Sequence, residues 1–309
     1  MTRLQRIALV AAQWLLAAVV IWYAFRALSG QWSAAAAGLT ALDIGWVWIA
    51  AATMLVALTY LLLIETWRRI LIAWSAGLPF SVASRIWFVS NLGKYVPGKI
   101  WSIAAMSAMA RSNAVSPVAA AGSSILIQFI SIAAGIGVVL VAGAQAIDRP
   151  LLAAVVVAVL LVGIGVTPLL LPRLVAGGAG LLGKQVVVPP MAPSVVWWAF
   201  ARAALSWLMY GVAFQLFIRG VLGEAAGATT SYIAVYAASY IIGFLALFAP
   251  GGAVVRESAM VAGMLRLGLS GQADALTIAI ASRLWLTVVE LLPGLAYLAV
   301  GRRGTSSTN

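Results

Sequence analysis

Long apolar runs, most of them close to 20 residues, constrain the fold of this chain more than any other feature. Hydrophobic residues make up 64% of the 309 positions and charged residues only 8%. A run of about 20 apolar residues crosses the hydrocarbon core of a bilayer as a helix. A soluble fold of this size does not tolerate such a composition on its surface. The sequence therefore predicts an all-α polytopic membrane protein with one membrane domain over residues 1–309.

Six full membrane spans are predicted from these runs. The run that ends at Leu28 follows a basic N-terminus, but it is longer than a typical signal-peptide core, so a retained first span is expected. A short polar tail, residues 304–309, is expected to be disordered. The predicted spans are Ile7–Leu28, Gly45–Ile64, Pro117–Ala142, Leu151–Leu171, Val195–Ile218 and Ala275–Val300.

Two further apolar regions are broken in the middle by Pro-Gly. Each is predicted to form a re-entrant helical hairpin, a shape that lipid tolerates only where protein or water covers the broken backbone. Two kinked crossings remain an alternative, because hydropathy alone does not exclude that span count. The halves are Val82–Val89 with Ile100–Ala110, and Tyr232–Phe248 with Ala253–Leu267.

The distribution of positive charge predicts the orientation. The chain has 19 Lys and Arg against 7 Asp and Glu, and cytoplasmic loops of membrane proteins carry the excess of Lys and Arg. With both broken pairs taken as hairpins, the predicted external loops hold only Arg149 and Arg219, and both termini are expected in the cytoplasm. This rule accounts for the basic charge, so a nucleic-acid partner is not expected.

The same span order predicts an internal repeat. Residues 1–145 and 150–303 then have mirror-image topologies, as in inverted-repeat transporters whose substrate sites lie where discontinuous helices meet near the membrane midplane. The two Pro-Gly breaks occupy corresponding positions in the two halves.

The amino-acid inventory excludes several kinds of chemistry. The chain has no Cys and no His, which removes thiolate catalysis, disulfides, His-ligated metals and His-based acid-base catalysis. Glycine-rich nucleotide loops of the Walker type are also missing from the sequence. We therefore expect a protein that is not an enzyme and that has no cofactor and no metal.

An anion site is predicted around the two breaks. Helix ends exposed by Pro-Gly present unpaired N–H groups and partial positive charge, which suit a phosphate. Buried cations in apolar segments, Arg202, Arg256 and Arg283, cost about 2.5–3.5 kcal/mol each on insertion scales. The predicted lipid-phosphate ligands are Lys94, Lys99, Arg256 and Arg283, with supporting roles for Tyr95, Pro97, Gly98, Pro250, Gly251, Gly252, Glu257 and Glu290.

Structural alternatives exist for the same residues. Lys94 and Lys99 are also typical of orientation signals that extend to the headgroups. Arg202, Arg256 and Arg283 are also explained by buried ion pairs with Glu65, Glu257 or Glu290 that fix helix packing. In the binding hypothesis, Glu257 orients Arg256. The small residues Gly135 and Gly137 are expected to allow close helix packing rather than to bind a ligand.

Three motifs resemble one known family. Asn91-Leu92-Gly93-Lys94-Tyr95-Val96-Pro97-Gly98-Lys99-Ile100-Trp101, Pro250-Gly251-Gly252-Ala253-Val254-Val255-Arg256-Glu257 and Ala281-Ser282-Arg283-Leu284 are similar to signatures of the flippase-like transmembrane domain of lysylphosphatidylglycerol synthases. One departure is the residue pair Ala253 and Val254, where family members usually carry a second glycine. The aminoacyl-transferase domain is absent from this sequence, so the chain is not expected to make lysyl lipid by itself.

The resemblance implies a bacterial inner (plasma) membrane protein that moves anionic, aminoacylated or polyprenyl-phosphate-linked lipids between leaflets. A lipid-linked glycosyltransferase is an alternative, in which Asp43, Asp148 or Asp274 would supply the acidic group. A non-catalytic partner of a lipid-pathway enzyme is another.

Overall fold

The computed structural model describes residues 44–74, 77–95, 101–113, 115–144, 149–181, 190–246 and 254–303. Within these ranges the chain forms helices and connecting turns, without a β-strand. The α-helices are α1 (Trp46–Ala73), α2 (Phe80–Asn91), α3 (Trp101–Arg111), α4 (Pro117–Ala142), α5 (Pro150–Leu181), α6 (Pro193–Leu222), α7 (Thr229–Leu245), α8 (Val255–Arg266) and α9 (Gln272–Arg303).

Five helices, α1, α4, α5, α6 and α9, are long and apolar enough to cross a membrane. They correspond to five of the six predicted spans, which confirms an all-helical membrane protein. Except in α4, the helices extend past the predicted bounds because a helix continues beyond the hydrocarbon into the headgroup region. The predicted first span, Ile7–Leu28, and the predicted tail lie outside the described residues.

Helices α1 and α6 pack antiparallel along their lengths. At one end the Gly45 N–H donates a hydrogen bond to the Gly220 carbonyl at 2.8 Å. A Cβ on Gly220 would lie only 2.7 Å from a side-chain carbon of Ile49, so a larger residue would force the helices apart. At the other end, Ile70 of α1 and Val195 of α6 line one groove.

The two predicted broken pairs are pairs of short helices packed on each other. Gly243 near the end of α7 lies against Arg256 near the start of α8, and Gly263 lies against Val235, so α7 and α8 are antiparallel. A Cβ on Gly93 would lie 2.8 Å from the Ser102 nitrogen, so the turn that follows α2 lies against the start of α3. Helices α2, α3 and α8 have 12, 11 and 12 residues. Each is roughly 18 Å long or less, shorter than the ~30 Å hydrocarbon core.

Indole hydrogen bonds connect the helices inside the bundle. An N–H group without a partner is costly in an apolar interior. Nε1 of Trp67 in α1 donates to Oγ of Ser123 in α4 at 2.9 Å. Nε1 of Trp207 in α6 donates to the Ser131 carbonyl at 2.8 Å. Both bonds fix their helices to α4, which makes α4 a shared wall of the bundle.

Of the two glycines expected to allow close packing in α4, one does so. A Cβ on Gly135 would lie 2.8 Å from atoms of Trp207 and Ile241, whereas one on Gly137 would meet no atom within 4 Å. The expectation is confirmed for Gly135, whereas for Gly137 the described residues place no neighbouring helix within contact distance of the added Cβ.

Gly211→Ala is expected to destabilise the bundle. A Cβ at Gly211 in α6 would lie 2.4 Å from the Ile233 backbone in α7, and overpacking of this kind costs about 1–3 kcal/mol. Gly137→Ala is the matched control, since it adds the same methyl group to open space and gains up to about 1 kcal/mol of helix propensity. Thermal unfolding in detergent measures both. Equal melting temperatures for the two variants would contradict the assigned α6–α7 contact.

Candidate functional site

A partly open cavity of about 150 Å³ lies among α1, α2, α4, α6, α7 and α9. Four aliphatic residues line it together with many aromatic and polar ones, and polar groups in a membrane interior need internal partners. The aromatic and polar residues that line it are Tyr60, Trp87, Asn91, Gln128, Ser131, Ser206, Trp207, Tyr210, Tyr236, Tyr240, Phe244 and Glu290.

Glu290 of α9 places a carboxyl group at this cavity. Its Oε1 accepts a hydrogen bond from the Tyr60 hydroxyl at 2.7 Å. The Tyr60 ring meets the Tyr210 ring edge to face, with centroids 6.2 Å apart. Tyr210 in turn stacks on Tyr236 at 5.6 Å. Glu290, which the sequence suggested as a supporting residue, is thus held by a group of tyrosines from α1, α6 and α7.

The sequence motifs did not predict this tyrosine group. A signal for it is present in α7, where Tyr232, Tyr236 and Tyr240 recur every four residues and so lie on one helix face. Two of the three line the cavity, while Tyr232 donates its hydroxyl hydrogen bond to the Ala226 carbonyl at the start of the helix. Tyrosines along one face of an apolar helix predict that this face is polar and that it packs against protein rather than lipid.

Arg256 of α8 lies directly behind the cavity wall. Its side chain is buried, with 7% exposure, and its guanidinium carbon is 5.5 Å from the Tyr236 ring centroid and 5.3 Å from that of Tyr240. Such cation–π contacts are worth more when the cation is desolvated. Its Nη2 is buried and has no hydrogen-bond partner within the described residues. Arg256 is therefore one side-chain layer from the cavity, separated from it by two of the lining tyrosines.

Glu257 pairs with Arg283 rather than with Arg256. Oε1 of Glu257 accepts a hydrogen bond from Nη1 of Arg283 at 3.2 Å, and both side chains are partly buried. The expectation that Glu257 orients Arg256 is wrong, because neighbouring residues on a helix point about 100° apart. Arg256 faces α7 and Glu257 faces α9. The alternative hypothesis of an ion pair between helices holds for Glu257 with Arg283.

The other expected ion pairs differ from the sequence hypothesis. Glu65 pairs within α1, with Arg68 at 2.7 Å and with Arg69 at 2.8 Å. Arg202 of α6 has no carboxylate partner among the residues that the structure describes. It lies in a separate groove between α1 and α6.

The backbone of Lys94 and Tyr95 lies in a short 3₁₀ helix, Leu92–Tyr95, that follows α2. Asp274, a candidate of the enzyme hypothesis, is exposed in the first turn of α9. The remaining predicted residues lie outside the described parts of the chain: Lys99, Pro97, Gly98, Pro250, Gly251, Gly252, Asp43 and Asp148.

Helices that lead into both Pro-Gly breaks reach the same cavity. Asn91 is the last residue of α2, and Phe244 is the penultimate residue of α7; each precedes the proline of its break, Pro97 or Pro250, by six residues. Both line the cavity. The prediction that the two breaks themselves approach each other falls on residues outside the described ranges.

A scan against protein-family models finds no match to this sequence, and a search of curated proteins finds no similar one.

The ion pair between α8 and α9 predicts energetic coupling. Glu257→Gln and Arg283→Gln each remove one partner, and a charged hydrogen bond is worth about 1.5–3 kcal/mol. The double variant is expected to be less destabilised than the sum of the two single variants by a similar amount. Denaturant unfolding of the four proteins measures this coupling.

The four proteins form a double-mutant cycle, and its control is the cycle that combines Glu257→Gln with Arg266→Gln. Arg266 is exposed at the far end of the same helix, so these two effects are expected to add within about 0.5 kcal/mol. Additive effects in the Glu257–Arg283 cycle would contradict a direct pair.

Val254→Gly is expected to stabilise the start of α8. Val254 has φ 69°, a left-handed conformation that glycine adopts freely and that costs a β-branched residue about 1–3 kcal/mol. Val255→Gly is the control, because Val255 is within α8 and the change lowers helix propensity. A lower melting temperature for Val254→Gly than for the unaltered chain would contradict the strain.

Proposed function

We propose that this protein is a lipid flippase-like transporter that moves an anionic or phosphate-bearing lipid between leaflets. The observation that carries the proposal is the polar and aromatic cavity inside the bundle, lined by helices that lead into both Pro-Gly breaks. A headgroup that crosses hydrocarbon needs polar partners along its path. Asn91, Gln128, Ser131 and the tyrosine hydroxyls offer them, while the acyl chains stay in the lipid.

In this proposal the headgroup is attracted by positive charge near the cavity. Arg256 raises the electrostatic potential behind Tyr236 and Tyr240, and its partnerless Nη2 is a hydrogen-bond donor for a phosphate oxygen once the wall opens. Lys94, Lys99 and Arg283 act with Arg256 as the phosphate-attracting set. Glu257 holds Arg283, and the Glu290 carboxylate limits how long the anion stays.

Transport requires the cavity to enlarge. A volume of about 150 Å³ is smaller than the roughly 300–1,000 Å³ of sites that hold drug-sized ligands. We assign the opening to the helix pairs α2–α3 and α7–α8 as re-entrant hairpins of an inverted repeat, because α2, α3 and α8 are too short to span the bilayer. The similarity of the three sequence motifs to the flippase-like domain supports the same mechanism in an inner membrane.

Single-cysteine labelling tests the hairpin topology, and the natural absence of Cys means that no background must be removed. Cys replaces Gly77 before α2 or Ser112 after α3, both exposed. If the α2–α3 pair is re-entrant and cytoplasmic, a membrane-impermeant maleimide leaves both positions unlabelled in intact cells and labels both in opened vesicles. Glu224→Cys, in the predicted external loop after α6, is the positive control. Labelling of only one of the two flanking positions in intact cells would show a crossing instead.

Lipid translocation tests the function directly. The purified chain in phosphatidylcholine vesicles that contain fluorescent phosphatidylglycerol is expected to expose inner-leaflet probe to dithionite faster than empty vesicles do. Arg256→Gln is expected to slow this rate at least about tenfold, because a charge-assisted hydrogen bond is worth about 1.5–3 kcal/mol and each ~1.4 kcal/mol is a factor of ten in rate.

Two controls accompany this transport assay. Arg256→Lys retains the positive charge and is expected to retain part of the rate. Arg266→Gln removes a charge from the exposed end of the same helix and is expected to leave the rate unchanged. A rate no faster than that of empty vesicles, across phospholipid and polyprenyl-phosphate probes, would overturn the proposed function.

A further inference from the structure

A second polar site lies on the surface of the bundle, in a groove of about 360 Å³ between α1 and α6. Thr66 and Arg69 of α1 line one side, and Ser194, Trp198 and Arg202 of α6 line the other. The central cavity has none of these residues in its lining. The groove is thus separate from the site of the proposed transport function.

Positive charge exceeds negative charge around this groove. Arg68 and Arg69 share the single carboxylate of Glu65. Arg202 adds a third guanidinium, and within the described residues no carboxylate or hydrogen-bond acceptor contacts it. A guanidinium in an apolar helix needs a partner to offset its desolvation. No such partner is present among the residues that the structure describes, and an anionic group from outside the chain would supply one.

The position of the groove along the helix axes corresponds to the headgroup boundary of a bilayer. Arg69 is four residues before the end of α1, and Ser194 is the second residue of α6. Arg202 is nine residues from the start of α6, or roughly 13 Å along the helix axis. A helix as long as α6, 30 residues and therefore about 45 Å, spans the hydrocarbon core together with both headgroup regions. Arg202 then lies just below the boundary, where its side chain extends toward lipid phosphates.

The walls of the groove favour a lipid over a soluble anion. Trp198 is 65% exposed, and amphipathic tryptophans of this kind lie at the level of the headgroups. Val195 and Ile70 supply apolar surface beside the two arginines. Guanidinium groups bind phosphate through paired hydrogen bonds, and the Ser194 hydroxyl is a further donor at the rim.

We propose that the groove between α1 and α6 binds the phosphate group of a phospholipid through Arg69 and Arg202, with an acyl chain lying along Trp198. The site follows from the unpaired charge and the shape of the groove, and it does not depend on the proposed transport function.

Native mass spectrometry of the full chain in nonionic detergent tests the site, with phosphatidylglycerol as the probe. The unaltered chain is expected to retain one tightly bound phosphatidylglycerol that Arg202→Gln releases, with affinity at least about tenfold weaker. Arg69→Gln is expected to weaken the same binding event. Arg202→Lys is expected to keep part of the affinity, because it retains charge but loses the paired hydrogen bonds.

Arg219→Gln is the matched control, since Arg219 is at the opposite end of the same helix, stacked over Trp48 with a 4.0 Å separation. It removes the same charge and is expected to leave the bound lipid in place. Thermal unfolding of each variant verifies that the bundle is intact.

Two further probes distinguish binding through the acyl chains from binding through the phosphate group. Diacylglycerol has the acyl chains without the phosphate and is expected not to bind, whereas inorganic phosphate at matched concentration is expected not to displace the lipid. Equal retention of phosphatidylglycerol by Arg202→Gln and the unaltered chain would overturn the proposal. Binding of diacylglycerol with the same affinity, or displacement by inorganic phosphate, would overturn it as well.

Discussion

The close antiparallel contact between α1 and α6 is the interaction on which both sites depend. Gly45 and Gly220 let the two backbones touch at one end, and this contact aligns the helices over their whole length. On the inner side, the pair presents Tyr60 and Tyr210 to the central cavity. At its other end, the same pair forms the walls of the surface groove. The same helix pair therefore contributes residues to both the central cavity and the surface groove.

Buried polar groups need hydrogen-bond partners, and this need explains how the side chains of the interior are arranged. Buried indole and hydroxyl groups donate to side-chain oxygens and to helix carbonyls, as Trp67 does to Ser123; within the described residues, Nε1 of Trp74 and Nε1 of Trp87 have no such partner. Two interior carboxylates have different partners. Glu257 accepts a hydrogen bond from the Arg283 guanidinium, whereas Glu290 accepts one from a tyrosine hydroxyl. Within the described residues, Nη2 of Arg256 is also buried without a hydrogen-bond partner, which is costly in an apolar interior.

Span positions were predictable because a bilayer selects apolar length directly; Pro117–Ala142 has the same bounds in the sequence prediction and in the structure. Side-chain partners were not predictable in the same way. Glu257 and Arg256 are neighbours in sequence, yet the helix turns them toward different elements, and only the tertiary packing decides which cation Glu257 meets. Arg202 was expected to find a carboxylate because its cost in lipid is evident from sequence. Its position on an outward groove depends on the α1–α6 register, which hydropathy does not encode.

One end of the α1–α6 pair is held by two different kinds of contact, and this has a mechanical consequence. A slide of one helix by a single turn, about 5.4 Å, would break the backbone hydrogen bond at Gly45 and lift Arg219 from the Trp48 ring. These two contacts therefore hold α1 and α6 in their present register. A rearrangement that moves the shorter helices past this pair keeps both contacts, whereas one that slides the pair breaks them.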